Sequence, residues 1–316
     1  MNIAILGSSS QIAFELIISM GRSENFTFYL FSRDLKKNER IFNKAGLKSK
    51  YFNLLYEEFF STKSYDLIIN FVGIVNPSES QKEGSQIFDA SDKFDILALD
   101  YIKENPITKY IFLSSGAVYG GNFFKPASFR TLAKVDINNL CSTDWYAISK
   151  LYIEAKHRSL NTFSIVDLRV FNYFSSSQDL NSNFFIIDVV NALISNKSLS
   201  TSSDNISRDY ITPSDFHSLI QKIIDQKHIN TVFDCYTKAP IKKHELLSKL
   251  ESKFGLKYTI NDKPNGMVQN KLKMNYYSKN KLAKNIGYAP QYDSLNGIMK
   301  ELSIILNDYN WSYFIF

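Results

Sequence analysis

MNIAILGSSSQIAFELIISM, Met1 to Met20, decides how the rest of the chain is read. Asn2 to Leu6 is a short apolar run that suits a buried strand, and Gln11 to Met20 carries apolar side chains at helical spacing. Gly7, Ser8, Ser9 and Ser10 separate the two, so the stretch reads as strand, small-residue turn and helix. It lacks the basic leader of a secretory signal, and its apolar run falls short of the ~20 residues that cross a bilayer.

The alternation continues outward from there. TFYLF (Thr27 to Phe31), DLIINFV (Asp66 to Val72), KYIFLSS (Lys109 to Ser115) and FSIVDLRV (Phe163 to Val170) are strand candidates, several of them apolar on both faces. Parallel strands covered on both sides have that pattern. Helical stretches such as FDILALDYIKE and YAISKLYIEAKH lie between them. The expected fold is α/β, a Rossmann-like doubly wound parallel sheet with ligands at the carboxyl ends of its strands. Beyond Val170 the rhythm loosens into NFFIIDVVNALI, PSDFHSLIQKII and KKHELLSKLESKF, with the short strands SRDYI and TVFDCYT among them. The expected organisation is a first domain over residues 1–170 and a smaller C-terminal lobe over 171–316, partly woven back into the first.

Composition narrows the function classes. At 316 residues and 44% hydrophobic, the chain can bury a sizeable core. Its two cysteines, Cys141 and Cys235, have no paired spacing and only four scattered histidines to join them, so neither a disulfide framework nor a metal site is expected. A reducing, cytoplasmic setting follows. The net charge of +6 is spread over isolated lysines, which suits a solvated surface or an anionic small molecule. Nucleic acid would call for a basic stripe with aromatic platforms, and the sequence has none; no membrane partner is expected either.

The residues just after each strand carry the chemistry. A dinucleotide-binding turn uses glycine for the tight bend, glycine for close approach to a pyrophosphate, and glycine or alanine for helix packing. Gly7, Ser10 and Ala13 hold those three places, a weakened fingerprint whose small residues and helix N-terminus still suit phosphate. The second strand ends in FSRD, where Ser32 and Arg33 suit the 2′-phosphate of NADP; an acidic residue at the tip would instead favour NAD. Phe71, Val72 and Gly73, after the strand in NFVG, are expected along the cofactor.

Tyr-x-x-x-Lys occurs three times, at Tyr146/Lys150, Tyr152/Lys156 and Tyr277/Lys281, against roughly two expected from composition, so the pattern alone decides nothing. Context selects the first pair, which opens a helix after a strand ending in Ser114-Ser115. Spacing of four puts phenol and ammonium on one helical face, where the ammonium favours phenolate. Tyr152 lies roughly 240° around the helix from Tyr146, and Tyr277 has no strand-end serine before it.

LSSGAVYG, then WYAISK, DLRVFNYF, SRDYI and the late YSKNKLAKNIGYAP, in that order, resemble the sugar-nucleotide branch of the short-chain dehydrogenases, the extended NAD-dependent epimerase/dehydratase family. The opening MNIAILGSSSQIAFEL is also similar to the start of the dTDP-4-dehydrorhamnose reductases. The resemblance departs at two fingerprint glycines, at Trp145 where Pro is common, and in a longer gap between Ser115 and Tyr146.

The resemblance implies an NAD(P)-binding first domain with Gly7, Ser9, Ser10, Gln11, Ile12, Ser32, Arg33, Asn53, Leu54, Phe71, Val72, Gly73, Tyr146 and Lys150 at the cofactor. It implies that Ser115 hydrogen-bonds the reacting hydroxyl or carbonyl, that Tyr146 transfers its proton, and that Lys150 holds the nicotinamide ribose. Asn172 and Arg208 fall where the family holds the nucleotide sugar, and a homodimer is implied. Gly116 and Ala117 stand where the dehydratases place Asp-Glu, which argues against a 4,6-dehydratase. The expected activity is NADPH-dependent reduction of a 4-keto sugar nucleotide in polysaccharide precursor biosynthesis; the alternatives are a 4-epimerase with NAD and a non-catalytic dinucleotide-binding protein. All four histidines are read as structural.

Overall fold

The computed structural model describes residues 1–61, 64–73, 84, 86–261 and 273–312. The first strand, β1 (Asn2–Leu6), leads into α1 (Gln11–Met20), and β2 (Thr27–Phe31) into α2 (Leu35–Ala45). Then come β3 (Lys50–Leu54), β4 (Leu67–Asn70), α3 (Gln86–Glu104), β5 (Lys109–Ser115), α4 (Ser142–Ser159) and β6 (Ile165–Val170).

The second half contains β7 (Asn172–Tyr173), α5 (Phe185–Ser195), β8 (Leu199–Ser202), β9 (Ser207–Arg208), β10 (Tyr210–Ile211), α6 (Pro213–Ile224) and β11 (Thr231–Asp234). After these come β12 (Ile241–Lys242), α7 (Lys243–Phe254), β13 (Tyr258–Asn261), β14 (Asn275–Tyr276) and α8 (Ser294–Ser312).

Seven strands form one parallel sheet in the order β11-β6-β5-β4-β1-β2-β3. Strand β1 shows why both faces are covered. Ile3 and Ile5 point into a core shared with α1, α2 and α6, while Ala4 and Leu6 point into a second core shared with α3 and α4. Alternate residues of a strand face opposite sides, so an apolar run with no polar alternation needs helices on both. A third core, built around Ile187, Val190, Leu247, Leu250 and Leu302, unites α5, α7 and α8.

The expected parallel sheet is present, with differences at its margins. DLIINFV is a strand only over Leu67–Asn70, because the Val72 amide donates to Asn70 Oδ1 at 2.9 Å and leaves the ladder. SRDYI divides into β9 and β10, which pair in different small sheets. TVFDCYT contributes β11, the edge strand beside β6, so the second half of the chain completes the main sheet. Strand β3 went unrecognised because KYFNL is a half-exposed edge strand whose apolar signal is diluted.

Strand order reverses between β1 and β4, and at such a point the chains leave the two carboxyl ends in opposite directions and open a crevice. Gly7 follows β1 and Phe71 to Gly73 follow β4, so both segments line it.

Candidate active site

Gly7 turns with φ +77°, a left-handed conformation that favours glycine, and a Cβ there would stand 3.1 Å from both the Phe71 carbonyl carbon and the Val72 nitrogen. The chain can cross the crevice floor at this point only without a side chain. Ser10 caps α1, its hydroxyl accepting from the Ala13 amide at 3.4 Å. Ser8, beside the fingerprint positions, is fully buried; its hydroxyl donates to the Phe31 carbonyl at 3.1 Å and accepts from Asn38 Nδ2 at 2.7 Å. That bond joins the turn to the tip of β2.

The sequence-predicted cofactor residues are not all equivalent in position. Ser32 is buried at the tip of β2 and its hydroxyl has no partner, while Arg33 beside it is exposed. The Asp34 carboxylate accepts from the Lys37 amide at 2.9 Å and caps α2. Asn53 accepts from Asn38 Nδ2 at 3.1 Å and donates to the Leu35 carbonyl at 2.8 Å, and Leu54 packs against the core on the α3 side. Gln11 points elsewhere: its amide donates to Ser175 Oγ at 2.6 Å and Gln178 Oε1 at 3.0 Å, tying α1 to the second half. Ile12 lies against the opposite core and Ser9 is half-buried in the turn.

Helix α4 presents Tyr146, Lys150, Glu154 and His157 along one face, as a spacing of three or four residues requires. Tyr152, off that face, is 53% exposed. The Ser115 hydroxyl, at the end of β5, accepts from the Ala117 amide at 3.2 Å and is a polar partner of the Tyr146 phenol. Burial pushes the phenol's pKa up, and Ser115 opposes that. Lys150 is nearly fully buried; its ammonium donates to the Leu113 carbonyl at 2.9 Å and sits 4.3 Å over the Phe112 ring. Burial pulls its pKa down to about 8, against the pull of Asp95, Glu154 and Asp167. A Cβ on Gly73 would lie 3.2 Å from Lys150 Nζ, so the end of β4 passes directly over the ammonium.

One expectation changes in detail. The sequence suggests that Lys150 depresses the Tyr146 phenol, but the ammonium lies 6.0 Å from the phenol ring centre and is fastened to a backbone carbonyl. In this geometry burial dominates and the phenol holds its proton.

The two serines of LSSG part company because successive strand residues face opposite sides. Ser114 donates to Glu154 Oε1 at 2.5 Å, and Glu154 is in turn gripped by Arg169 through Nε at 3.0 and 3.1 Å. Arg169 also donates to the Tyr119 hydroxyl at 2.7 Å, and Tyr119 donates to Asp234 at 2.9 Å. The tyrosine of GAVYG is thus held in a buried ionic network, with Ser115 on the cleft side.

Asn172 and Arg208 come together at the same end. Asn172 Nδ2 donates to the Asp209 and Tyr276 carbonyls at 3.2 and 3.3 Å. Arg208 Nη1 donates to the Ser207 and Lys273 carbonyls at 2.8 and 2.6 Å, and its guanidinium lies 5.9 Å from the Tyr276 ring centre. Tyr276 itself was missed: its hydroxyl is 3.4 Å from Ser115 Oγ. The only pointer in the sequence was its position, one residue before the closing segment YSKNKLAKNIGYAP.

Among the described residues no cluster of three or more His, Cys, Asp and Glu is arranged to hold a metal, and no helix is long and apolar enough to cross a membrane.

No curated protein matches the chain. Solved structures share its fold over nearly the whole length. A UDP-glucose 4-epimerase from Thermotoga maritima superposes with a TM-score of 0.79 at 14% identity, covering 98% of this chain and 99% of that one. A UDP-glucuronic acid 4-epimerase from Bacillus cereus gives 0.79 at 15%, covering 98% and 100%. A dTDP-glucose 4,6-dehydratase from Bacillus anthracis gives 0.75 at 16%, covering 98% of each. With a strand-order switch, a glycine turn beneath it and the Ser115, Tyr146 and Lys150 side chains grouped at one strand end, the match of residues 30–234 to the corresponding family model places the chain in the NAD-dependent epimerase/dehydratase family.

Proposed function

We propose that this protein is an NAD(P)-dependent oxidoreductase of nucleotide-activated sugars. The observation that carries the reading is the convergence of Ser115, Tyr146 and Lys150 at the carboxyl end of β5, beside Gly73 and the crevice over Gly7. The crevice fits a dinucleotide on two counts: Gly7 leaves open a floor that a side chain would fill, and the buried Ser32 hydroxyl has no partner within the protein. Gly7, Ser9, Ser10 and Ile12 would hold the pyrophosphate and Ser32 and Arg33 the adenosine end, with Asn53, Leu54, Phe71, Val72 and Gly73 along its length. Gln11, committed to Ser175 and Gln178, orients the second half of the chain.

Bound there, a nicotinamide dinucleotide supplies hydride chemistry, and the chain's own side chains manage the oxygen and its proton. Ser115 donates a hydrogen bond to the sugar oxygen. Tyr146, kept protonated by burial, gives that oxygen its proton when a carbonyl is reduced. Lys150, anchored on the Leu113 carbonyl, keeps further N–H donors for the ribose. Asn172 and Arg208, with their donors on backbone carbonyls, shape the nucleotide-sugar end.

The direction we favour is reduction of a 4-keto sugar nucleotide by NADPH. Asp34 is engaged as a helix cap and Arg33 is exposed beside an unpartnered Ser32, which suits a 2′-phosphate better than free ribose hydroxyls. The second reading, a 4-epimerase with tightly held NAD, is favoured by the whole-chain likeness to structures of 4-epimerases. Incubation with 4-keto-6-deoxy sugar nucleotides and NADPH separates them. NADPH consumption supports reduction; no consumption, with NAD retained through purification, removes it in favour of epimerisation.

A further inference from the structure

We propose that Tyr276 is a third hydroxyl of the reacting centre, donating a hydrogen bond to the same sugar oxygen that Ser115 and Tyr146 hold; the inference rests on the nucleotide-sugar reading above. Its hydroxyl lies 3.4 Å from Ser115 Oγ. It arrives from β14, 161 residues further along the chain than Ser115, so the C-terminal segment supplies part of a site otherwise built on the main sheet.

The ring is held from several sides. Phe123 packs edge-on at 4.8 Å and Phe171 packs tilted at 5.2 Å between centroids. Strand β14 pairs with β9, setting Tyr276 opposite Arg208, and the Tyr276 carbonyl accepts from Asn172. Lys273 stands 4.5 Å over the ring. A residue fixed at ring, backbone and strand register presents its hydroxyl without reorganising when substrate arrives, the condition under which a hydrogen-bond donor favours developing charge on oxygen.

Burial pushes the Tyr276 phenol far above its ordinary range, opposed by the Ser115 contact and reinforced by Tyr146. Tyr276 acts through its proton as a hydrogen-bond donor, and the transfer stays with Tyr146, one helical turn from Lys150. The assignment predicts that Tyr276 reads the sugar and ignores the nucleotide.

The test is calorimetric binding of UDP-glucose, dTDP-glucose and GDP-mannose, each beside its parent diphosphate UDP, dTDP or GDP, to wild type and Y276F. The substitution keeps the ring that packs on Phe123 and Phe171, and an unchanged melting temperature verifies the fold. For the sugar nucleotide that wild type binds best, Y276F is expected to weaken binding about tenfold, the effect of one hydrogen bond, and to leave the parent diphosphate unaffected. Equal affinity of both proteins for the sugar nucleotide, or equal weakening for sugar nucleotide and diphosphate, overturns the Tyr276 role while the nucleotide-sugar reading stands. No binding of any sugar nucleotide by wild type overturns that reading and this inference with it.

Discussion

The Lys150 ammonium is fastened to the Leu113 carbonyl oxygen, 2.9 Å away, and the Tyr146 ring centre lies 6.0 Å off. The lysine is buried between the end of β4 and helix α4, with Asp95, Glu154 and Asp167 behind it.

A pH dependence with a defined sign follows for Lys150. Its pKa is about 8 in the folded chain against 10.5 for the free side chain. Between those values the unfolded chain binds more protons than the folded one, so this residue's contribution to stability rises with pH across that window. The difference in unfolding free energy between wild type and K150M, measured in urea, should shift toward wild type from pH 8 to pH 10.5 and stay flat below pH 7. A flat difference throughout contradicts the buried ammonium.

His157 has the opposite sign. Its imidazole is fully buried, 2.6 Å from Asp167 and 2.7 Å from Asp95. Burial disfavours its charge, but the two carboxylates outweigh burial and hold its pKa up at about 9. The stabilisation is fully present below pH 6.5 and is lost as pH rises through about 9. H157Q should cost about 3 kcal/mol at pH 6, because it leaves two buried carboxylates short of a cation. The same comparison at pH 9.5 should give a much smaller loss.

Replacing Tyr146 with Phe removes the transferable proton and little else. Turnover should fall by about 10² to 10⁴, the range for a lost general acid, with cofactor affinity retained. Turnover that survives the change would exclude Tyr146 from proton transfer. A protein that binds cofactor but never turns over would instead fit a non-catalytic dinucleotide-binding role.

Arg33 decides between cofactors. R33A should weaken NADPH about tenfold or more, the contribution of a charge-assisted hydrogen bond, and leave NADH within about twofold. Equal losses for both would mean that the exposed guanidinium does not read the 2′-phosphate. Mass spectrometry of the co-purifying cofactor provides an independent check.

Much of this architecture is legible before any coordinates. Met1 to Met20 announces strand, turn and helix because burial on both faces requires an unbroken apolar run and a helix requires its own period. Those requirements are local, and five of the seven sheet strands follow from them. Strand β3 escaped because an edge strand need not be apolar on both sides; β11 is legible as a short strand in TVFDCYT, but its place beside β6 depends on what the second half of the chain does.

The grouping of Ser115 with Tyr146 and Lys150 was legible for a related reason. Tyr146 and Lys150 are one helical turn apart, and strand ends in a parallel sheet all meet at one edge. Nothing local says that Ser115 faces the cleft while Ser114 turns to Glu154, or that Gln11 reaches Ser175. Nor could any pattern place Tyr276 at Ser115, since that contact depends on β14 pairing with β9 and on the aromatic wall of Phe123 and Phe171. By itself the amino-acid order determined the periodic elements and the chemistry available at their ends, because both depend on neighbours within a few residues. Which hydroxyls share the cleft, and which charges are withdrawn into the buried network beneath it, was decided only by tertiary packing, where burial and long-range pairing act on residues remote along the chain.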